Sequence, residues 1–169
     1  MNPMKMLADM RTIKQLLTDA ERIAREMGED EPGAEHLLLS ALGLPDGSAG
    51  RVLGRHGVDA ETLRTALRDE QADALVTAGV QRQTAEAVAD PTPLGPAGAP
   101  LLYASRPSAR EVFQEAGRLA RSSKQRLAGA HVVAAVASLE RGTMARVLDR
   151  LGVDRAQLGL TSRAELSAR

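Results

Sequence analysis

Apolar residues recur along most of this chain at spacings of three and four, the period of a helix face rather than of a strand. Met6, Met10, Ile13, Leu17, Ala20, Ala24 and Met27 form one stripe down a long first helix. Asn2 and Pro3 suit its start, as cap and first-turn residue, and Gly28 its end. After the acidic loop EDEPG, the segment AEHLLLSALGL is apolar almost all round, which predicts a short, buried, central helix. A third short helix runs from about Ser48 to His56, and a fourth from Asp59 to about Ala78. Alternating β-branched residues are scarce, so the pattern predicts an all-α fold.

The stretch RVLGRHGVD at 51–59 returns as RVLDRLGVD at 146–154. Laying residues 34–63 on 129–158 gives 11 identities, among them His36 with His131 and Leu63 with Leu158. Composition alone gives roughly two or three in such a window, so the chain is an internal duplication. Within each copy the echo reads as a joint. Gly57 and Gly152 stand where a helix ends left-handed, and Val58 and Val153 follow as the apolar partner of that ending. Asp59 and Asp154 then cap the next helix, with Leu63 and Leu158 completing a hydrophobic staple. Ser108 with Glu111 reads as a capping box for the first helix of the second copy.

Between the copies, PTPLGPAGAPLLYASRP carries five prolines and two glycines in 17 residues, which rules out regular helix. VQRQTAEAVAD at 80–90 adds a helical piece before it. The expected organisation is one unit over 1–169: repeat one at about 3–79, a linker at about 80–107, repeat two at about 108–160, and a polar tail at 161–169 that frays.

Charge narrows the partners. With 22 basic and 22 acidic residues there is no global field toward nucleic acid or an anionic membrane. Tyr103 and Phe113 are the only aromatic residues, too few for a base-stacking surface. No apolar run is long enough to cross a bilayer, and the N-terminus lacks the order of a signal peptide. Cysteine is absent, which fits a cytoplasmic location.

Catalytic chemistry is not written in the sequence. There is no phosphate-binding GxxxxGK[ST] run and no HExxH or HxxxH pair, and no context marks a serine as a nucleophile. Neither an enzyme, a cofactor nor a metal is expected. His36 and His131, at equivalent helix starts, read as packing or hydrogen-bonding residues. Glu29, Asp30, Glu31 and Glu35 read as a solvated loop plus a first-turn acid favoured by the helix dipole, or else as an acidic recess for a guanidinium. RLARSSKQR at 118–126 reads as a solvated helix end. The short helix, turn and helix over 48–66 also permit a helix-turn-helix DNA-binding regulator as the alternative function.

GAEHLLLSAL followed by a Gly-containing turn, RVL, GVD and a helix, then a proline-rich joint and a degenerate second copy, resembles the N-terminal repeat domain of the Clp unfoldases, closest to the ClpC type. The resemblance spans about residues 10–160 and implies two pseudo-symmetric four-helix repeats. It also implies a non-catalytic module that binds proteins or peptides: substrates, adaptors or Clp subunits. The ATPase modules that follow in that family are missing, so the chain looks like a stand-alone N-domain serving as adaptor, decoy or regulator. In ClpC-type domains the Glu before each repeat's His helps hold phosphoarginine. Here that residue is Glu35 in copy one and Ala130 in copy two, while the accompanying Thr positions fall at Met10 and Arg106. Cyclic peptide antibiotics are a further implied ligand class, although Asp9 and Ser105 replace the phenylalanines of that surface. A monomer is expected, with the first helix as the seam if two chains pair.

Overall fold

A computed structural model describes residues 3–90 and 105–168, with side chains from residue 9 onward. Among the described residues the chain is all helix. Its elements are α1 (Pro3–Glu26), α2 (Ala34–Leu42), α3 (Ser48–Gly54), α4 (Ala60–Thr77), α5 (Arg82–Ala89), α6 (Pro107–Ser122), α7 (Gly129–Ala137), α8 (Thr143–Arg150) and α9 (Arg155–Ser167). The most apolar segments sit at the centre: α2 and α7 pack against each other and bury nearly every residue. Around them the second repeat repeats the first. α1 lies on α2 as α6 lies on α7, and α4 lies on α8 as α9 lies on α3.

The two joints are built alike. Gly57 and Gly152 take positive φ values of 71° and 68°. Val58 N–H donates to Leu53 C=O at 3.1 Å and Gly57 N–H to Gly54 C=O at 3.1 Å. Val153 N–H donates to Leu148 C=O at 2.9 Å and Gly152 N–H to Asp149 C=O at 3.0 Å. These paired bonds satisfy the last carbonyls of α3 and α8. Asp59 then accepts from Thr62 N–H, and Asp154 from Ala156 and Gln157 N–H. The conformation makes neighbouring glycines respond oppositely. Gly57→Ala forces a Cβ into the left-handed region and costs about 1 kcal/mol. Gly54→Ala lies in helix with open space around the new Cβ and adds about 0.5–1 kcal/mol. Urea unfolding of the two variants checks both signs.

Crossed ion pairs join the repeats. Arg51 and Arg55, on α3 and just beyond it, reach Glu165 of α9 at 2.7 and 3.2 Å. Their counterparts Arg146 and Arg150, on α8, pair with Glu70 of α4. The polar tail is thereby corrected. Residues beyond Leu160 are the second half of α9, with Ser162, Glu165 and Leu166 buried. Polar letters here serve an ion pair and a helix that the core covers.

Two other expectations change. Met10 is 58% exposed, and the buried line of α1 runs through Leu16, Ala20, Ile23 and Ala24. The reason is length: at 1.5 Å per residue α2 covers only about 13 Å of the roughly 36 Å of α1. Ser108 does not cap α6, which starts at Pro107 with Arg106 as N-cap; its hydroxyl accepts from Ala34 N–H at 3.3 Å, across the repeat boundary.

Candidate functional site

Glu35 lies in the first turn of α2, so the helix that buries His36 also carries this carboxylate inward. Gly28, with φ 78°, ends α1 and turns Glu29 back over the same point, where its N–H donates to Ala24 C=O at 2.9 Å. Arg106 arrives from the start of α6, fixed by its N–H to Pro32 C=O at 3.0 Å. Its guanidinium pairs with Glu35 at 3.0 Å and also with Glu29. The acidic cluster is therefore not a solvated loop: Asp30 and Glu31 are exposed, but Glu29 and Glu35 clasp a guanidinium that the chain itself supplies. A cavity of about 160 Å³ opens beside them, bordered by Glu70, Arg106 and Arg146.

Burial dominates the electrostatics. It pushes both Glu29 and Glu35 above the ordinary carboxylate range, with Arg106 opposing the shift in each case. Burial, reinforced by the Arg106 charge, lowers His36 to about 3. His36 Nδ1 accepts from Gly33 N–H at 2.8 Å, and His131 Nδ1 from Ala128 N–H at 3.1 Å. Each histidine thus closes the first turn of its own helix, taking the part a Glu plays in a capping box. In neutral His36 the proton must then sit on Nε2, which faces Glu29 Oε2 at 4.0 Å.

Glu29, Glu35 and His36 bring potential metal-ligand atoms within 4.8 Å of one another. The chemistry does not suit a cation of that kind. The Nδ1 lone pair is committed to Gly33, Nε2 carries hydrogen, and both carboxylates already hold Arg106. What the arrangement fits is a guanidinium, by charge and by hydrogen-bond geometry.

The other residues singled out in the sequence lie apart from this recess. Ala130, the counterpart of Glu35, is buried in α7 with its N–H bonded to Ser48 Oγ at 2.8 Å. The residues of the two joints end and begin helices. Sequence reasoning missed Arg106 as the partner of Glu35 and placed it only as a counterpart of Met10. The helix-turn-helix reading gains no support: the acids Asp59, Glu61 and Asp69 stand beside Arg64 and Arg68 at α4, while Glu70 and Asp73 pair with Arg146 and Arg150 of α8, so the helix carries no basic face for phosphate. Tyr103 and most of the proline-rich joint lie outside the described residues. No described helix is long and apolar enough to cross a membrane.

Comparison with known proteins fits this geometry. A solved structure reported among preliminary structural investigations of a malarial protein secretion system aligns with a TM-score of 0.52 at 17% identity, covering 92% of this chain and 92% of that chain. That likeness is one of fold. No curated protein matches the chain. The model of the Clp repeat (R) N-terminal domain matches residues 11–93, the span of α4, α5 and the guanidinium-holding carboxylates included. Residues 11–93 belong to the Clp repeat N-terminal domain family.

Proposed function

We propose that this chain is a protein- or peptide-binding module of the Clp proteolytic system, working in the cytoplasm by contact and not by turnover. The observation that carries the reading is the Clp repeat match over residues 11–93. It acts as an adaptor, a decoy or a regulator that competes with an unfoldase's own N-domain for clients or Clp subunits. Its two repeats are linked by the crossed Arg–Glu pairs. Affinity capture from a cytoplasmic extract tests this. Enrichment of Clp subunits or their clients, with no ATP turnover by the chain itself, is the expected result, and enrichment of neither defeats the reading.

Glu35 remains the proposed contact for a guanidinium or phosphoarginine in repeat one. Arg106 now stands in the place such a ligand would occupy, so a partner reaches Glu35 only by displacing it. Arg106→Ala leaves two largely buried carboxylates without their cation and lowers stability by about 1–2 kcal/mol. Adding free arginine at tens of millimolar restores part of the loss in the variant and has no such effect on the original protein. Thermal melts with arginine, and with lysine as control, read this out; equal responses in both proteins would argue against a guanidinium recess.

A further inference from the structure

The pseudo-symmetry that builds one recess in repeat one builds a second in repeat two, and its chemistry is reversed. Lys124, with φ 56°, ends α6 as Gly28 ends α1. Gln125 N–H then donates to Ala120 C=O at 3.0 Å, matching the bond of Glu29, so Gln125 stands in the place of Glu29. Ala130 stands in the place of Glu35, by the register of the two histidines. Both carboxylates that hold Arg106 have been removed.

A cavity of about 550 Å³ occupies this second position, between α1, the α2–α3 turn and the α6–α7 turn. Arg11 and Arg126 border it, and neither makes an ion pair or hydrogen bond among the described residues. Gln15 and Gln125 supply amides and Leu44 and Leu127 an apolar floor. Gln125 Nε2 donates to Leu166 C=O at 2.8 Å, while its shielded Oε1 has no partner among the described residues. Asp46, the one lining carboxylate, accepts from Ser48 Oγ at 2.5 Å and from Gly129 N–H at 3.3 Å at the start of α7, so the lining sets two arginines against one acid.

We propose that this cavity docks an acidic peptide segment of a protein partner. Its carboxylates meet Arg11 and Arg126, and its aliphatic portions lie on Leu44 and Leu127. Two guanidinia against a single carboxylate, in a chain of zero net charge, make a local positive site, and the apolar floor suits a peptide where the lack of aromatic lining does not suit bases. The inference rests on the reading of the chain as a protein-binding module, and adds the class of partner.

The test uses the full chain and a fluorescein-labelled, end-blocked hexaglutamate peptide, followed by anisotropy at low salt. The original protein binds it, and Arg11→Gln with Arg126→Gln weakens binding by about tenfold or more. Arg68→Gln with Arg110→Gln, which removes the same charge at exposed positions elsewhere, leaves binding within about twofold. Equal losses in the two double variants would overturn the proposal. So would displacement of the peptide by inorganic phosphate or by a single-stranded oligonucleotide at matched concentration. If hexaglutamate does not bind while Clp subunits are captured, the acidic-peptide site alone fails. If hexaglutamate binds as described and no Clp component or client is captured, the site stands and the Clp assignment fails.

Discussion

Gly129→Ala destabilises the protein by about 2–3 kcal/mol, although alanine is the better helix former and the equivalent position of repeat one is Ala34. Gly129 is the first residue of α7, pressed against α2 and α3. A Cβ there would lie 2.8 Å from Ala49 Cβ, 2.9 Å from Ala49 N and 3.1 Å from Ala41 O. Two of these three neighbours are backbone atoms, so no side-chain rotation relieves the contact; the helices must separate. Separation strains the bonds of Gly129 N–H to Asp46 and of Ala130 N–H to Ser48 Oγ, which seat α7 on the first repeat. Helix propensity and repeat consensus predict the opposite sign. Urea unfolding of Gly129→Ala decides between them, and a variant as stable as the original would show that α7 has room that the close approach denies.

Much of this architecture is legible in the sequence because local rules and the duplication agree. The joints at Gly57–Asp59 and Gly152–Asp154 follow from backbone conformation and capping, which depend on a few adjacent residues. The central position of α2 and α7 follows from their being apolar on every side. The crossed ion pairs extend the duplication beyond the joints. Glu70 and Glu165 are one more identity at the same 95-residue shift that pairs Arg51 with Arg146 and Arg55 with Arg150. What the shift cannot reveal is that each arginine pair turns to the glutamate of the other repeat. That depends on α4 crossing α8 and α9 crossing α3, a tertiary fact.

The recess was partly legible. Glu35 drew attention through its place beside His36, and Arg106 through its loose alignment with the start of the first helix. Their meeting depends on two chain reversals, at Gly28 and at Pro32, that bring residues 71 positions apart into contact. Ser108 shows the same limit. Its spacing to Glu111 satisfies a capping box, yet Pro107 starts the helix two residues earlier than that box requires, and the hydroxyl meets Ala34 instead. Divergence at the second recess is visible in the letters Gln125 and Ala130. Its consequence, a cavity bordered by unpaired arginines, required the fold to place Arg11 of α1 and Arg126 of the α6–α7 turn on one rim.

Acid should weaken the fold through His36. The residue is wholly buried, and its Nδ1 accepts from Gly33 N–H, a bond that protonation at Nδ1 removes. Its value falls from the ordinary 6.5 to about 3. The unfolded chain therefore binds a proton that the folded chain refuses, and stability declines as pH drops below 6.5, by about 1.4 kcal/mol per unit at most. Between pH 7 and pH 5 the loss from this one group is about 2 kcal/mol. Glu29 and Glu35 act in the other direction, since burial raises them: the folded state takes up their protons first, and this offsets part of the decline as pH falls. The loss due to His36 therefore sets in near pH 6.5 and continues downward toward about 3. His36→Asn separates the bond from the charge, because the Asn carbonyl oxygen can accept from Gly33 N–H without titrating. Urea midpoints at pH 7, 6 and 5 should fall more steeply in the original protein than in His36→Asn, whatever the variant loses in absolute stability. Parallel declines would place the acid sensitivity elsewhere, and would mean that the buried imidazole takes its second proton at Nδ1 beside Glu35 Oε1, 3.6 Å away.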